Sequence, residues 1–331
     1  MPLGPLRFTP LFTKNLWGGR RLPDFLRQPQ PDHPHAIGEA WVLSDVDGSP
    51  SRVADGPLKG TTLRELLADK PERILGAAKP INGRFPLLLK FIDARQELSV
   101  QVHPDDEQAA RTKPGANGKT EAWVILESNP ATSRIYSGFR HGVTDETFRA
   151  ALSERTTPGT LHSFTPTPGE CVFLRAGTVH AIGADILLFE VQQTSDITYR
   201  LYDWDRVDPV TREPRELHIE QGLAVANFAS GPCPAQPARR LHADCEQLAA
   251  CEYFTLHRWN TDRRFTVGAR GECRIVVVLE SSGRTALKWS EDVDGLQAGD
   301  VLLLPAETGA CEILPSGTIT LLECGLPPAR A

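Results

Sequence analysis

Four side chains able to hold a metal ion stand at three places in the chain. In ELSVQVHP (97–104) strand alternation puts Ser99, Gln101 and His103 on one face and Leu98, Val100 and Val102 on the other. Gln101 and His103 are two residues apart, a spacing from which one strand can offer two ligands to one ion. The run GKTEAWVIL (118–126) places Lys119, Glu121 and Trp123 on a shared face, adding a carboxylate and an ammonium to the same cleft. His180 lies in AGTVHAIG (176–183), set after a strand by a turn of small residues. An amide, two imidazoles and a carboxylate suit zinc or another divalent ion. Taken singly, each has a plainer reading. His103 could end a strand at the surface, Glu121 could begin a solvated strand, and His180 could be a hydrogen-bonded loop histidine.

Other polar residues carry weaker signals. Lys90 interrupts the apolar run PLLLKFID (86–93), where a core-facing ammonium is costly without a partner, and an edge strand blocked by lysine is the alternative. Gly118-Lys119-Thr120 matches the tail of a phosphate-binding loop. The motif fails because position 113 is Lys where Gly is required, and because a strand follows where a helix is needed. Arg200, in SDITYRLYDWDR (195–206), either pairs with Asp196, Asp203 or Asp205 at the surface or grips an anion.

The elements that must position these residues are mostly short strands. With 27 Gly and 27 Pro spread along 331 residues, breakers separate brief apolar runs. Strands are expected at 86–92, 98–103, 121–126, 170–174, 186–192, 197–202, 273–279 and 301–304. Helices are expected at 62–69 behind a threonine cap, at 104–112 opening with Pro and acids, and at 145–153 capped by Thr144. The segment 231–238 (GPCPAQPA) reads as a linker between a front portion, 1–230, and a back portion, 239–331. One internal echo spans that break: PGECVFLRAGTVH (168–180) against AGDVLLLPAETGA (298–310). Aligned on Gly169 and Gly299, it sets His180 opposite Ala310, as two copies of one β-unit would if only the first kept its histidine.

Composition narrows the function classes. The length gives a soft expectation of two domains. A net charge of −6 leaves no basic field for nucleic acid or anionic lipid. No apolar run is long enough to span a bilayer, and MPLGPLRFTP does not begin like a secretory signal. Seven cysteines without a C-x-x-C argue against a disulfide framework or zinc ribbon. The expectation is a reduced, cytoplasmic, globular protein.

Read in order, the stretches LLLKFIDARQELSVQVHPDD (87–106), GKTEAWVIL (118–126) and RAGTVHAIGADILLFEVQQTSDITYRLYDWDR (175–206) resemble the type I mannose-6-phosphate isomerase family in its short form. Trp17-Gly18-Gly19 and GEAWVLSD (38–45) are similar to its opening strands. The likeness is dense over about 80–210. It implies a mainly β fold: two cupin-like jelly-roll barrels, the second degenerate and metal-free, with a few short helices. Gly169, Arg175, Gly177 and His180 fit the second cupin motif, with Arg in place of the usual Pro. Long eukaryote-type members insert a helical domain between the Glu and the last His; here 58 residues separate Glu121 from His180, too few to hold it.

The resemblance further implies one Zn²⁺ per chain on Gln101, His103, Glu121 and His180, and a sugar-phosphate substrate. Mannose 6-phosphate and fructose 6-phosphate would interconvert through a cis-enediol, with no nucleic-acid or membrane partner. Arg200 would be catalytic, with Lys119 adding positive charge, while Ser99 and Lys90 would hold the substrate. Glu190, in the apolar run ILLFEV (186–191), matches a family carboxylate and is the candidate base, with a pKa expected to be raised by its surroundings; a buried ion pair is its alternative. Neither Lys119 nor a metal-bound water is ranked below it. Two rivals stand beside this reading: an Fe(II)-type cupin oxygenase, and a sugar-phosphate-binding cupin without catalysis.

Overall fold

Two apolar-rich segments of the front portion, Leu87–Ala94 and Ile186–Gln193, form neighbouring antiparallel strands buried at every position. A strand covered on both faces needs apolar side chains on both parities, which is why neither run alternates. The computed structural model describes residues 3–30, 36–209 and 211–327. In it, these strands lie within a six-stranded sheet extended by Glu121–Glu127 and Cys171–Leu174 on one side and by Ile37–Leu43 and Leu11–Gly19 on the other. A five-stranded sheet faces it, in the order Leu161–Phe164, Ile135–Phe139, His180–Ile182, Val100–Val102, Tyr199–Tyr202. Trp17, Ile92, Leu98, Trp123, Ile182 and Leu188 fill part of the space between them.

The opposite face of the six-stranded sheet carries Leu89, Phe91, Val124 and Phe189. These pack in one continuous core with Leu256, Ile275, Val277 and Leu322 of a seven-stranded sheet. That sheet is drawn from residues 239–325, except that Leu6–Arg7 pairs along Val301–Leu304 at its edge. A four-stranded sheet of Phe265–Val267, Cys311–Pro315, Thr285–Trp289 and Asp292–Leu296 closes a second sandwich over Val276, Val278, Leu302, Ile313 and Leu321. The architecture is mainly β, four stacked antiparallel sheets with a few short helices. No helix among the described residues is long and apolar enough to cross a membrane.

The expected strands and helices are present with small shifts at their ends. Thr62 and Thr144 cap Leu63–Asp69 and Asp145–Ser153 through reciprocal capping boxes, and Asp105 does so for Asp106–Thr112, one residue later than Pro104 suggests. Three further helices carry no strong sequence signal: Arg21–Phe25, Pro71–Leu75 and Ile219–Val225. Segment 231–238 makes only isolated bridges, such as Gly138 with Pro232.

The internal echo is matched by the backbone. Gly169 and Gly299 adopt φ of +88° and +86°, the left-handed region that glycine enters without strain. Thr167 N–H donates to Glu170 Oε2 at 2.8 Å, and Gln297 N–H donates to Asp300 Oδ2 at 2.8 Å. Past each strand, Thr178 N–H reaches Arg175 carbonyl and Thr308 N–H reaches Pro305 carbonyl. Both turns are built alike.

Candidate active site

The metal-ligand candidates come from both walls of the front sandwich. His180 opens the strand His180–Ile182 and pairs in register with Gln101. Glu121 opens Glu121–Glu127 on the facing sheet, and His103 follows directly on Val100–Val102. The ligand atoms of His103, Glu121 and His180 all lie within 4.8 Å of one another. His103, Glu121 and His180 are 2%, 1% and 1% exposed, so the surface and loop readings of these three residues do not hold.

The local bonding prepares the two imidazoles for a cation. His103 Nδ1 lies 2.9 Å from the Ile197 carbonyl, and His180 Nδ1 lies 2.8 Å from the Thr178 carbonyl. A carbonyl can only accept, so each Nδ1 carries the proton and each Nε2 is left as a bare lone pair. His180 Nε2 lies 3.3 Å from Glu121 Oε1, and His103 Nε2 lies 3.8 Å from Glu121 Oε2. Burial, with the Lys119 ammonium added, pushes His103 well below the usual imidazole range; burial brings His180 down to about 4. Both rings are therefore neutral at neutral pH. Lys119 Nζ stands 2.7 Å from Glu121 Oε2, yet neither carboxylate oxygen meets an aligned donor. His180 Nε2 and Glu121 Oε1 face each other with no hydrogen between them, a costly arrangement when buried, and a divalent ion beside them would resolve that cost. Gln101 stands beside the trio with its amide nitrogen toward it, Nε2 lying 3.3 Å from His180 Nε2 and Oε1 3.4 Å from Ser99 Oγ.

Beside this cluster runs a chain of buried charge. Lys119 Nζ lies 3.2 Å from His103 Nε2 and 3.4 Å from Glu190 Oε1. Lys90 Nζ lies 3.2 Å from the same Glu190 oxygen and 3.5 Å from Glu39 Oε1. Trp123 Nε1–H donates to Glu190 Oε2 at 3.0 Å, and Trp41 Nε1–H to Glu39 Oε2 at 2.7 Å. Two expectations are corrected here. Lys90 is in a central strand, paired on one side with Glu190 and on the other with Trp41, so it guards no edge. Burial alone would raise the Glu190 carboxyl, but the ammonium groups of Lys119 and Lys90 outweigh it and hold the carboxyl well below its ordinary range. The buried ion pair is what stands there. Glu121, by contrast, is pushed up by burial and by the Glu190 charge.

Alternation within 98–103 also breaks at its start. Val100 and Val102 pack outward with Phe139 and Leu223, as expected, but Leu98 turns into the sandwich interior beside Trp17 and Ile92. Ser99 faces a cavity of about 330 Å³, shared with Gln101, Lys90, Lys119, Glu190 and Arg200. Arg200 pairs with Gln101 in register on the next strand. Its surface pairing with an aspartate is not found among the described residues: Asp203 is occupied by Arg206 at 3.0 Å and Arg215 at 2.8 Å, and Asp205 by Arg155 and Tyr202. Arg200 Nη1 donates only to the Glu216 carbonyl, at 2.9 Å, and its buried Nε has no partner. Arg215 and Asn15 also line the cavity and carried no sequence signal; Glu39, from the stretch 38–45, and Asp196, weighed only as a surface partner of Arg200, line it too. A larger hollow of about 690 Å³, lined by Phe25, Leu126, Arg240 and Arg258, includes none of these site residues.

Comparison with known proteins agrees with this geometry. A family model described as phosphomannose isomerase type I, catalytic domain, matches residues 6–132. The chain is 35% identical over 317 residues to mannose-6-phosphate isomerase ManA of Bacillus subtilis, covering 93% of this chain and 95% of that protein. It is 33% identical over 303 residues to mannose-6-phosphate isomerase of Streptococcus mutans, covering 91% and 92%. The crystal structure of the mannose 6-phosphate isomerase from Bacillus subtilis superposes with a TM-score of 0.87 at 30% identity, over 97% of this chain and 99% of that one.

Proposed function

This chain belongs to the type I phosphomannose isomerase family, and we propose that its front sandwich interconverts mannose 6-phosphate and fructose 6-phosphate. The observation that carries the reading is the buried trio His103, Glu121 and His180, whose ligand atoms lie within 4.8 Å of one another with both Glu121 oxygens unsatisfied, set beside a lysine, a second carboxylate and an arginine whose Nε has no partner. One Zn²⁺ per chain suits two neutral imidazoles and a carboxylate, with Gln101 as a fourth ligand once its amide turns to present oxygen. The bound ion would polarise the sugar carbonyl oxygen and share the negative charge that grows on it.

The protein's own groups account for the rest. Glu190 is kept ionised by Lys90 and Lys119 and so is ready to accept the C2 proton of the aldose and return it to C1. That same stabilisation weakens it as a base, which places more of the work on the charges that steady the enediolate. Lys119 touches both Glu121 and Glu190 and can follow the hydroxyl proton from O2 to O1. Arg200, with its unpartnered Nε, meets the developing oxyanion or the phosphate. Ser99 and Lys90 hold sugar hydroxyls at the cavity wall. Seven free cysteines, five of them buried, fit a reducing cytoplasm.

The test is a coupled assay for fructose 6-phosphate formed from mannose 6-phosphate, run on protein stripped of metal and then reloaded with Zn²⁺, Mn²⁺ or Co²⁺. Turnover restored by an ion supports the reading. No turnover with any of the three rejects it, and oxygen uptake with added iron would favour the oxygenase.

A further inference from the structure

We propose that the back portion of the chain acts on the reacting centre through Tyr253, a positioning residue that holds Lys119 by way of Asp106 and Gln193. This rests on the isomerase reading for Lys119 itself, but the contacts stand independently of it.

Lys119 precedes the strand Glu121–Glu127, so no sheet ladder fixes its backbone. Three consecutive amides are tied down by other means. Gly118 N–H donates to Asp106 Oδ1 at 2.7 Å, Lys119 N–H to the Pro104 carbonyl at 3.0 Å, and Thr120 N–H to Gln193 Oε1 at 2.8 Å. Gln193 is itself held, its Nε2 donating to Asp106 Oδ1 at 2.9 Å. Asp106 thus grips the lysine segment on both sides, directly at Gly118 and through Gln193 at Thr120.

What orients Asp106 comes from the other sandwich. The Tyr253 hydroxyl donates to Asp106 Oδ2 at 2.8 Å, and Tyr253 stands in the turn leading to the strand Thr255–Thr261 of the seven-stranded sheet. A hydroxyl given to an ionised carboxylate is a strong, directional bond. The segment is also pressed close: a Cβ on Gly118 would stand 2.5 Å from the Asp105 carbonyl carbon and 2.6 Å from Asp106 N. Only glycine allows that approach. The Lys119 ammonium must meet Glu121, His103 and Glu190 together at 2.7–3.4 Å, and such constellations fail when their support loosens by a fraction of an ångström.

The experiment compares the full-length zinc-loaded protein with Tyr253→Phe, Asp106→Ala and the double variant. Tyr253→Phe should lower kcat about five- to ten-fold with KM within two-fold and metal content and Tm nearly unchanged. Asp106→Ala should cost more, and adding Tyr253→Phe to it should cost nothing further, because the acceptor is already gone. Amide hydrogen exchange at Gly118 and Thr120 should quicken at least three-fold in Tyr253→Phe, a readout independent of turnover. Unchanged exchange and kcat in Tyr253→Phe, or losses that add in full in the double variant, would overturn the relay. A wild-type protein without isomerase activity would reject the proposed function, and the exchange rates would still judge the relay.

Discussion

The front and back sandwiches share a scaffold down to its irregularities and treat buried charge in opposite ways. In the front, Leu188 pairs with Ile125 and Leu187 with Glu127, skipping one residue; in the back, Leu321 pairs with Val278 and Thr320 with Glu280, skipping one residue. That shared bulge fixes the correspondence. Glu190 faces Trp123 where Glu323 faces Val276, and Glu121 pairs with Leu174 where Arg274 pairs with Leu304. Lys90, the other register partner of Glu190, corresponds to His257 beside Glu323. The glutamate is kept in both, but its surroundings differ. Glu323 Oε1 accepts from Gly268 N–H at 2.9 Å and Oε2 from Trp259 Nε1–H at 3.0 Å, so both oxygens are satisfied. Glu190 has one oxygen met by an indole and one facing two ammonium groups, while Glu121 has no aligned donor at all. A satisfied buried carboxylate is structural material; an unsatisfied one is poised for a ligand.

That contrast is broken most severely by removing a ligand. His103→Ala should abolish stable metal binding, lowering affinity by more than the ~100-fold typical of disturbing only a ligand's outer partner; metal analysis of the purified variant checks this. Glu190→Gln should keep the metal and lower turnover by at least ~100-fold, the scale of losing a positioned base, in the coupled assay. Arg200→Ala should leave folding and metal content nearly intact while turnover falls by about 100-fold, as when one electrostatic stabiliser is removed. Wild-type turnover in that variant would take Arg200 out of the chemistry.

The back sandwich should respond in stability alone. Glu323→Gln presents an NH₂ to one of two part-buried donors and should cost about 1–3 kcal/mol, read by denaturant unfolding, with kcat unaltered. The smallest effect concerns His257, whose pKa is lowered chiefly by burial. It stays neutral when folded, so its contribution is present above the unfolded value near 6.5 and is lost as pH falls through the depressed one. His257→Gln should flatten that loss by less than ~1 kcal/mol, seen as a shallower fall of Tm between pH 7 and 5.

Much of the front site was legible because it obeys short-range rules. Strand parity placed Gln101 with His103 and Lys119 with Glu121, and threonine caps located Asp145–Ser153 to the residue and Leu63–Asp69 to within one. What escaped was set by partners distant in sequence. The low pKa of Glu190 depends on Lys119 and on Lys90, both distant in sequence, and for Lys90 it is cross-strand register that brings the two together. Arg200 is free because Arg206 and Arg215 take Asp203, a competition that spacing does not decide. The carbonyls of Ile197 and Thr178 that orient the histidines belong to every residue type and leave no mark in sequence.

The edge pairing of Leu6–Arg7 with Val301–Leu304 joins two segments from opposite sides of the linker 231–238. Neither can complete its ladder before the other has been brought alongside. Until then the seven-stranded sheet lacks its closing edge, and a fragment starting at residue 239 would display Val301–Leu304 as a bare apolar ladder, an invitation to pair with its own copies.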